Sequence, residues 1–207
     1  MKAVLVANPK GGSGKTTLST NIAGYLASRG QRVALLDMDR QKSATLWLAQ
    51  RSSGLPHIRA LEVDAEKRAE AMDWLVIDTP AALHGKNLEH ALKLVHRVIV
   101  PIAPSLYDIQ ASYEFLKSLN DMKAARKGRV QVGVAGMRMA PRTRAAATLE
   151  DFLTQLDLPV LAYLREAQLY VNAAFEGKSI FDLPAHLAAQ DVEQWAGLLG
   201  WLEASDG

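Results

Sequence analysis

The stretch ANPKGGSGKTT, residues 7–17, decides how the rest of the chain is read. Its end, Gly14-Lys15-Thr16, fits the phosphate-loop pattern G-x-x-x-x-G-K-[ST], but Pro9 holds the place of the first glycine and a second lysine, Lys10, follows it. Upstream, AVLVA is short and apolar. Downstream, Leu18, Ile22 and Leu26 recur at helical spacing up to Gly30, a good helix stop. A glycine loop between a strand and a helix is the context in which this pattern binds phosphate. Gly11, Gly12 and Gly14 let backbone N–H groups turn inward around phosphate oxygens, and the helix start adds its positive dipole end. Lys15 then reaches the β- and γ-phosphates, and the Thr16 hydroxyl ligates Mg²⁺. A glycine-rich turn with two solvated lysines would leave that spacing and context unexplained.

Outward from the loop, short runs rich in β-branched residues at 3–7, 32–36, 58–63, 74–77, 98–102, 130–134 and 160–163 predict strands. Stretches of helical period at 17–29, 108–125, 143–156 and 184–202 fall between or after them. The alternation predicts an α/β fold: a single doubly wound, mostly parallel sheet flanked by helices, as in P-loop NTPases. Near-continuous apolar strands say that both sheet faces are covered. At 207 residues, without internal repeat or evident linker, the expectation is one domain over 1–207.

The composition, 49% hydrophobic and 22% charged, suits a globular chain rather than a disordered one. With no cysteine there is neither a disulfide framework nor a thiolate metal site, which suits a reducing cytoplasm. The first apolar run leads straight into the glycine loop instead of a cleavage site, and no window reaches the ~18 apolar residues of a membrane span. A net charge of +2 does not by itself announce a nucleic-acid binder.

A phosphate loop needs acidic partners for its metal, because Mg²⁺ keeps several waters and takes only one or two protein oxygens. VALLDMDRQ puts Asp37 and Asp39 just past one strand, and WLVIDTPA puts Asp78 at the end of another. In an open α/β sheet the ligand sits at the carboxyl ends of the strands, where all three converge on the loop. Asp78, after four apolar residues, reads as the metal-side acid. Asp37 and Asp39 would point to one side if extended, one steadying the metal shell and the other positioning water. The competing reading of each is a turn or a helix cap.

These motifs resemble a known family. KGGSGKTT resembles the deviant Walker A motif, DMDRQ the D-x-D-P-Q segment and VIDTPA the Walker B strand of the ParA/MinD partitioning and positioning ATPases. PIAPSLYDI, REAQLYVNAAFEGKSIFDL and the short chain resemble the small ParA proteins that lack an N-terminal DNA-reading domain. The resemblance implies that residues Lys10, Gly11, Gly12, Ser13, Gly14, Lys15, Thr16 and Thr17 hold ATP and Mg²⁺. It makes Lys10 the lysine that reaches the partner subunit's nucleotide in an ATP-bound homodimer, and Lys15 the lysine serving its own. It gives Asp39 the attacking water, Asp37 and Asp78 the magnesium shell with Thr16, and Pro104 and Arg138 adenine contacts. Arg40 departs from the family pattern, which has proline there; the change frees the backbone and adds a charge beside Asp39.

The resemblance further implies hydrolysis stimulated by a ParB-like adaptor, and non-specific DNA binding by the ATP state on the nucleoid. Candidate DNA contacts are Arg142, Arg144 and Arg165, with Arg138, Lys178 and the group Lys123, Arg126, Lys127 and Arg129 as further basic positions. MRMAPRTRAA is the most persuasive, with three arginines in seven residues where a strand hands over to a helix. Two alternatives remain: a MinD-like membrane switch and a metabolic P-loop enzyme. Against the first, the C-terminal DVEQWAGLLGWLEASDG has acidic, not basic, neighbours around its apolar residues, and reads as a helix packed on its own core.

Overall fold

The computed structural model describes residues 1–62, 71–81, 83–122 and 128–204. The seven apolar runs form seven parallel strands: β1 Lys2–Val6, β2 Val33–Asp37, β3 Ile58–Leu61, β4 Trp74–Asp78, β5 Arg97–Ile102, β6 Gln131–Met139 and β7 Val160–Arg165. Their order across the sheet is β3-β2-β4-β1-β5-β6-β7. β1 sits centrally between β4 and β5, and the chain crosses over it in passing from one half of the sheet to the other. Ligands collect above such a crossing, at the carboxyl ends of the strands.

Alternation along each strand divides the core. Val4, Val6, Val33 and Leu35 face one layer with α1 (Lys15–Ser28), α2 (Ser43–Gln50) and the chain's last helices. Ala3, Leu5, Ala34 and Leu36 face the other, with α3 (Gly85–Leu94), α4 (Leu106–Asp121) and α5 (Arg144–Thr154). The doubly wound expectation is met. The predicted helix at 108–125 and the strand at 58–63 each end earlier among the described residues, and Lys123, Arg126 and Lys127 lie outside them.

The helix expected at 184–202 is two, α7 (Ala185–Glu193) and α8 (Ala196–Glu203), which follow α6 (Gln168–Phe175). α8 lies against β7: a Cβ on Gly197 would stand 2.6 Å from the Leu161 carbonyl oxygen. Trp195, Leu198 and Leu202 are fully buried there, so the apolar residues of the C-terminal segment are core, as the sequence reading holds. Among the described residues no helix is long and apolar enough to cross a membrane.

One buried ion pair ties α2 to the segment before α7. Arg51 donates to both Asp182 carboxylate oxygens at 2.8 and 3.0 Å and to the Gly177 carbonyl at 3.0 Å, with side chains only 5% and 1% exposed. Burial pushes the Asp182 carboxyl up, but the Arg51 and Ser179 hydrogen bonds outweigh it and hold the group below its ordinary value. Removing the cation in Arg51→Met strands a buried carboxylate, so we expect a loss of about 3–5 kcal/mol in urea unfolding at pH 7. Because the folded pKa is depressed, Asp182 contributes stability above its unfolded value and loses it as pH falls through the lower folded one. The difference between wild type and Arg51→Met should therefore shrink in unfolding curves taken below about pH 4.

Candidate nucleotide-binding site

The loop is anchored from beneath. Asn8, buried and held extended before Pro9, donates through Nδ2 to the Pro101 carbonyl at 2.7 Å and to Ser112 Oγ at 2.8 Å. Its Oδ1 accepts the Lys10 N–H at 2.8 Å, which starts the turn into the glycines. Gly12 and Gly14 carry φ of 75° and 96°, a region that side-chain-bearing residues rarely adopt. A Cβ on Gly12 would touch no protein atom, whereas one on Gly14 would stand 2.7 Å from the Met137 Cε. Gly12 and Gly14 are thus both required by backbone conformation, and at Gly14 the Met137 side chain would also have to shift.

The two lysines part company on this loop. Lys15 is buried at the start of α1, lines the cleft, and donates through Nζ to the Lys10 carbonyl at 2.8 Å. Burial pulls its ammonium below the ordinary lysine value, against the raising effect of Asp78 and Asp39. Lys10 is half-buried, does not line the cleft, and its ammonium makes no hydrogen bond or ion pair with a described residue. Ser13, fully buried, donates to the Lys10 carbonyl and braces the loop from inside.

β1, β4 and β2 lie side by side, with Val6 paired to Asp78 and Asp78 to Asp37. Asp78 is completely buried; its oxygens accept from Thr16 Oγ1 at 2.8 Å and Ser19 Oγ at 2.9 Å. Burial pushes this carboxyl up to about 6; Thr16, Ser19 and Lys15 pull it down and Asp37 pushes it up. A cation and an anion are thus both held toward neutrality by burial. A divalent ion and a polyphosphate would favour the charged form of each. The oxygens of Thr16 and Asp78 fit magnesium, which takes few protein ligands and keeps its waters. Ser19 is a site residue the sequence reading missed, one helical turn beyond the motif's last residue.

Asp37 and Asp39 do not share a side. β2 ends at Asp37 and the chain turns, so that Asp37 Oδ1 accepts the Asp39 N–H at 3.0 Å. Oδ2 accepts the Thr45 N–H and hydroxyl at 2.9 and 3.0 Å. Both Asp37 oxygens thus accept hydrogen bonds from the turn and the start of α2, with Asp37 in register beside Asp78. Asp39 lines the cleft, with one oxygen accepting the Gln41 N–H at 3.0 Å. Arg40 is exposed, and Lys42, at φ 55°, braces the turn by donating through Nζ to the Asp37 carbonyl at 2.7 Å.

The loop, Asp39 and the ends of β6 and β7 line a cleft of about 400 Å³. Arg138 reaches it from the β6 end and donates to the Gly12 carbonyl at 2.7 Å. Pro104 does not line it: it stands two residues past β5, just before the Ser105 cap of α4. The apolar lining of the cleft is Met137, packed against Gly14, with Leu164, Ala167, Tyr170 and Val171, none of which the sequence reading singled out as a contact.

Arg142 and Arg144 are exposed beside the Thr143 cap of α5. Arg165 lines one groove with Arg142 and Arg144, and its guanidinium is clasped there by the Asp191 carboxylate at 2.8 and 2.9 Å. Lys178 pairs with Glu176, and Arg129 precedes β6, a strand of nine residues and so about 30 Å from the cleft end of the sheet.

Residues 4–180 match the family described as the CobQ/CobB/MinD/ParA nucleotide binding domain. The chain belongs to this family. It is similar to the maintenance of carboxysome distribution protein A of Halothiobacillus neapolitanus, 30% identical over 202 residues that cover 91% of this chain and 92% of that one. It is also similar to the chromosome-partitioning ATPase Soj of Thermus thermophilus, 28% identical over 186 residues, covering 72% and 74%. Its fold is that of the septum site-determining protein MinD of Pyrococcus horikoshii complexed with Mg-ADP, with a TM-score of 0.71 and 17% identity over 99% of each chain. As a ParA/MinD-type member of the family, the protein is a nucleotide-binding ATPase.

Proposed function

We propose that residues 1–207 form one ATPase domain that dimerises on ATP, with the nucleotide of each subunit met by its own Lys15 and by the partner's Lys10. The observation that carries this reading is the contrast between the two lysines. Lys15 is buried at its own cleft, whereas Lys10 is outside it and without a charged or hydrogen-bonded partner for its ammonium among the described residues. A lysine fixed by its backbone at the rim, with its charge uncommitted, suits an anion presented by another molecule.

In this reading Gly11, Gly12, Gly14 and Thr17 shape the phosphate cradle, while Thr16 and Asp78 would hold magnesium. Magnesium, when bound, would neutralise charge on the terminal phosphates. Asp39 orients the attacking water, and Arg138 fastens the loop at the nucleoside side. Phosphoryl transfer needs positioning and charge neutralisation more than covalent help, so a second cation at the phosphates accelerates it. Because that cation comes from the partner, hydrolysis waits for pairing, and the nucleotide stabilises the paired state. Light scattering with ATP and Mg²⁺ tests this: the mass should double with ATP and not with ADP, and a monomer under both conditions would reject the reading.

We further propose that the dimer binds DNA without sequence preference, associates with the nucleoid and positions a large cargo, with an adaptor protein stimulating hydrolysis. The names of the two relatives, one for carboxysome distribution and one for chromosome partitioning, support a cargo of that size. Arg142 and Arg144, exposed at a helix start, are the DNA contacts; pairing doubles the patch. Arg142→Glu with Arg144→Glu should lower ATP-dependent affinity for random duplex at least about tenfold and flatten its salt dependence, with dimer mass unchanged. Unchanged DNA retention would remove this patch from the account.

A further inference from the structure

The cleft wall that holds Arg165 and Tyr170 lies beyond the phosphate loop, and it is not held by the sheet alone. Leu164 and Arg165 end β7, an edge strand that among the described residues pairs only with β6 and slips register near Gly136 and Met139. Tyr170 lies in α6 beyond that end. What fixes this wall is a row on α7 and just past it. Asp191, 1% exposed, takes the Arg165 guanidinium on both oxygens at 2.8 and 2.9 Å. Gln194 Oε1 accepts the Arg165 N–H at 2.9 Å, and the indole N–H of the fully buried Trp195 donates to the Tyr170 hydroxyl oxygen at 2.9 Å. Positions 191, 194 and 195 are spaced i, i+3 and i+4, so one helical face carries all three bonds.

Trp195 satisfies the Tyr170 oxygen as an acceptor, which leaves the Tyr170 O–H free to donate while the residue lines the cleft. Burial pushes the Tyr170 phenol up to about 12, so that proton stays in place at neutral pH. We infer that Asp191, Gln194 and Trp195 are positioning residues that hold Arg165 and Tyr170 against the nucleoside, setting affinity for ATP without touching the reacting phosphates. This rests on the cleft being the nucleotide site, and it adds a determinant of binding from the C-terminal helices, 175 residues and more beyond the phosphate loop.

The test compares two ligands by titration calorimetry, Mg-ATP and Mg-tripolyphosphate, on wild type, Trp195→Phe, Asp191→Asn and Gln194→Leu. Trp195→Phe keeps a buried ring and removes one hydrogen bond, which is expected to weaken ATP about five- to tenfold. Tripolyphosphate, which has no nucleoside, should bind every variant as it binds wild type. Turnover should show KM raised with kcat at saturation within about twofold. ATP affinity unchanged in the variants, or both ligands weakened equally, would overturn the inference, since a general loosening of the fold does not distinguish them. If Asp191→Asn does not fold, Trp195→Phe and Gln194→Leu carry the same comparison. Lys15→Ala separates the two levels: wild-type affinity for both ligands in that variant would reject the cleft as the phosphate site, whatever α7 does.

Discussion

Asp39→Ala is expected to lower kcat for ATP hydrolysis by about two to four orders of magnitude, the range for losing a group that positions or deprotonates a nucleophile. The physical ground is the turn after β2. Asp37 spends both oxygens on the backbone and on Thr45, while Asp39 is delivered half-buried into the cleft with an oxygen to spare. Nucleotide affinity should change little, because Lys15, Thr16 and the glycines are untouched. The variant should accumulate as the ATP-bound dimer, read as a persistent doubled mass after ATP addition in conditions where wild type returns to monomer. Turnover within a few-fold of wild type would give the water to another residue. The effect contrasts with Asp37→Ala, which should lower thermal stability by unfastening α2 from β2.

Lys10→Ala is the second large effect. A cation supplied across an interface to a transferring phosphoryl group is worth about 10³–10⁵ in rate, and the variant should lose hydrolysis on that scale. It should still bind ATP, since Lys15 is the lysine that lines the cleft. It should also fail to dimerise on ATP, which separates it from Asp39→Ala: one variant stays single, the other stays paired. Lys10 contributes to its own loop mainly through backbone atoms, accepting from Lys15 and Ser13 and donating to Asn8, and alanine keeps all of these. A fall in activity would therefore not be a collapsed loop.

The phosphate loop, Asp78 and the seven strands were legible because their signals are local: glycines at fixed offsets, and apolar runs ended by an acid. The sheet order followed from the α/β alternation only in kind, since β4 inserts between β2 and β1 through pairings no local pattern encodes. Helices α2, α3 and α6 are eight to ten residues long, too short for periodicity to separate from a loop. The turn that parts Asp37 from Asp39 was not legible because two carboxylates two residues apart read as extended until a turn intervenes. The clasp on Arg165 was not legible because its partner, Asp191, is 26 residues away on α7. Pro104 was put at the base by the family resemblance; Tyr170, which lines the cleft, sits in a segment that carries the resemblance but was not singled out there, and Leu164 immediately precedes it.

The most direct test of the donated lysine is a mixing experiment. Lys10→Ala has its own Asp39 but lacks the lysine to give; Asp39→Ala has the lysine to give but cannot hydrolyse. Neither should turn over ATP alone. Mixed in equal amounts, they should recover hydrolysis to a sizeable fraction of the wild-type rate, through dimers in which the Asp39→Ala subunit completes the site of its Lys10→Ala partner. If Lys10 acts instead on its own subunit's nucleotide, the mixture will stay as inactive as its components, and that result would contradict the account.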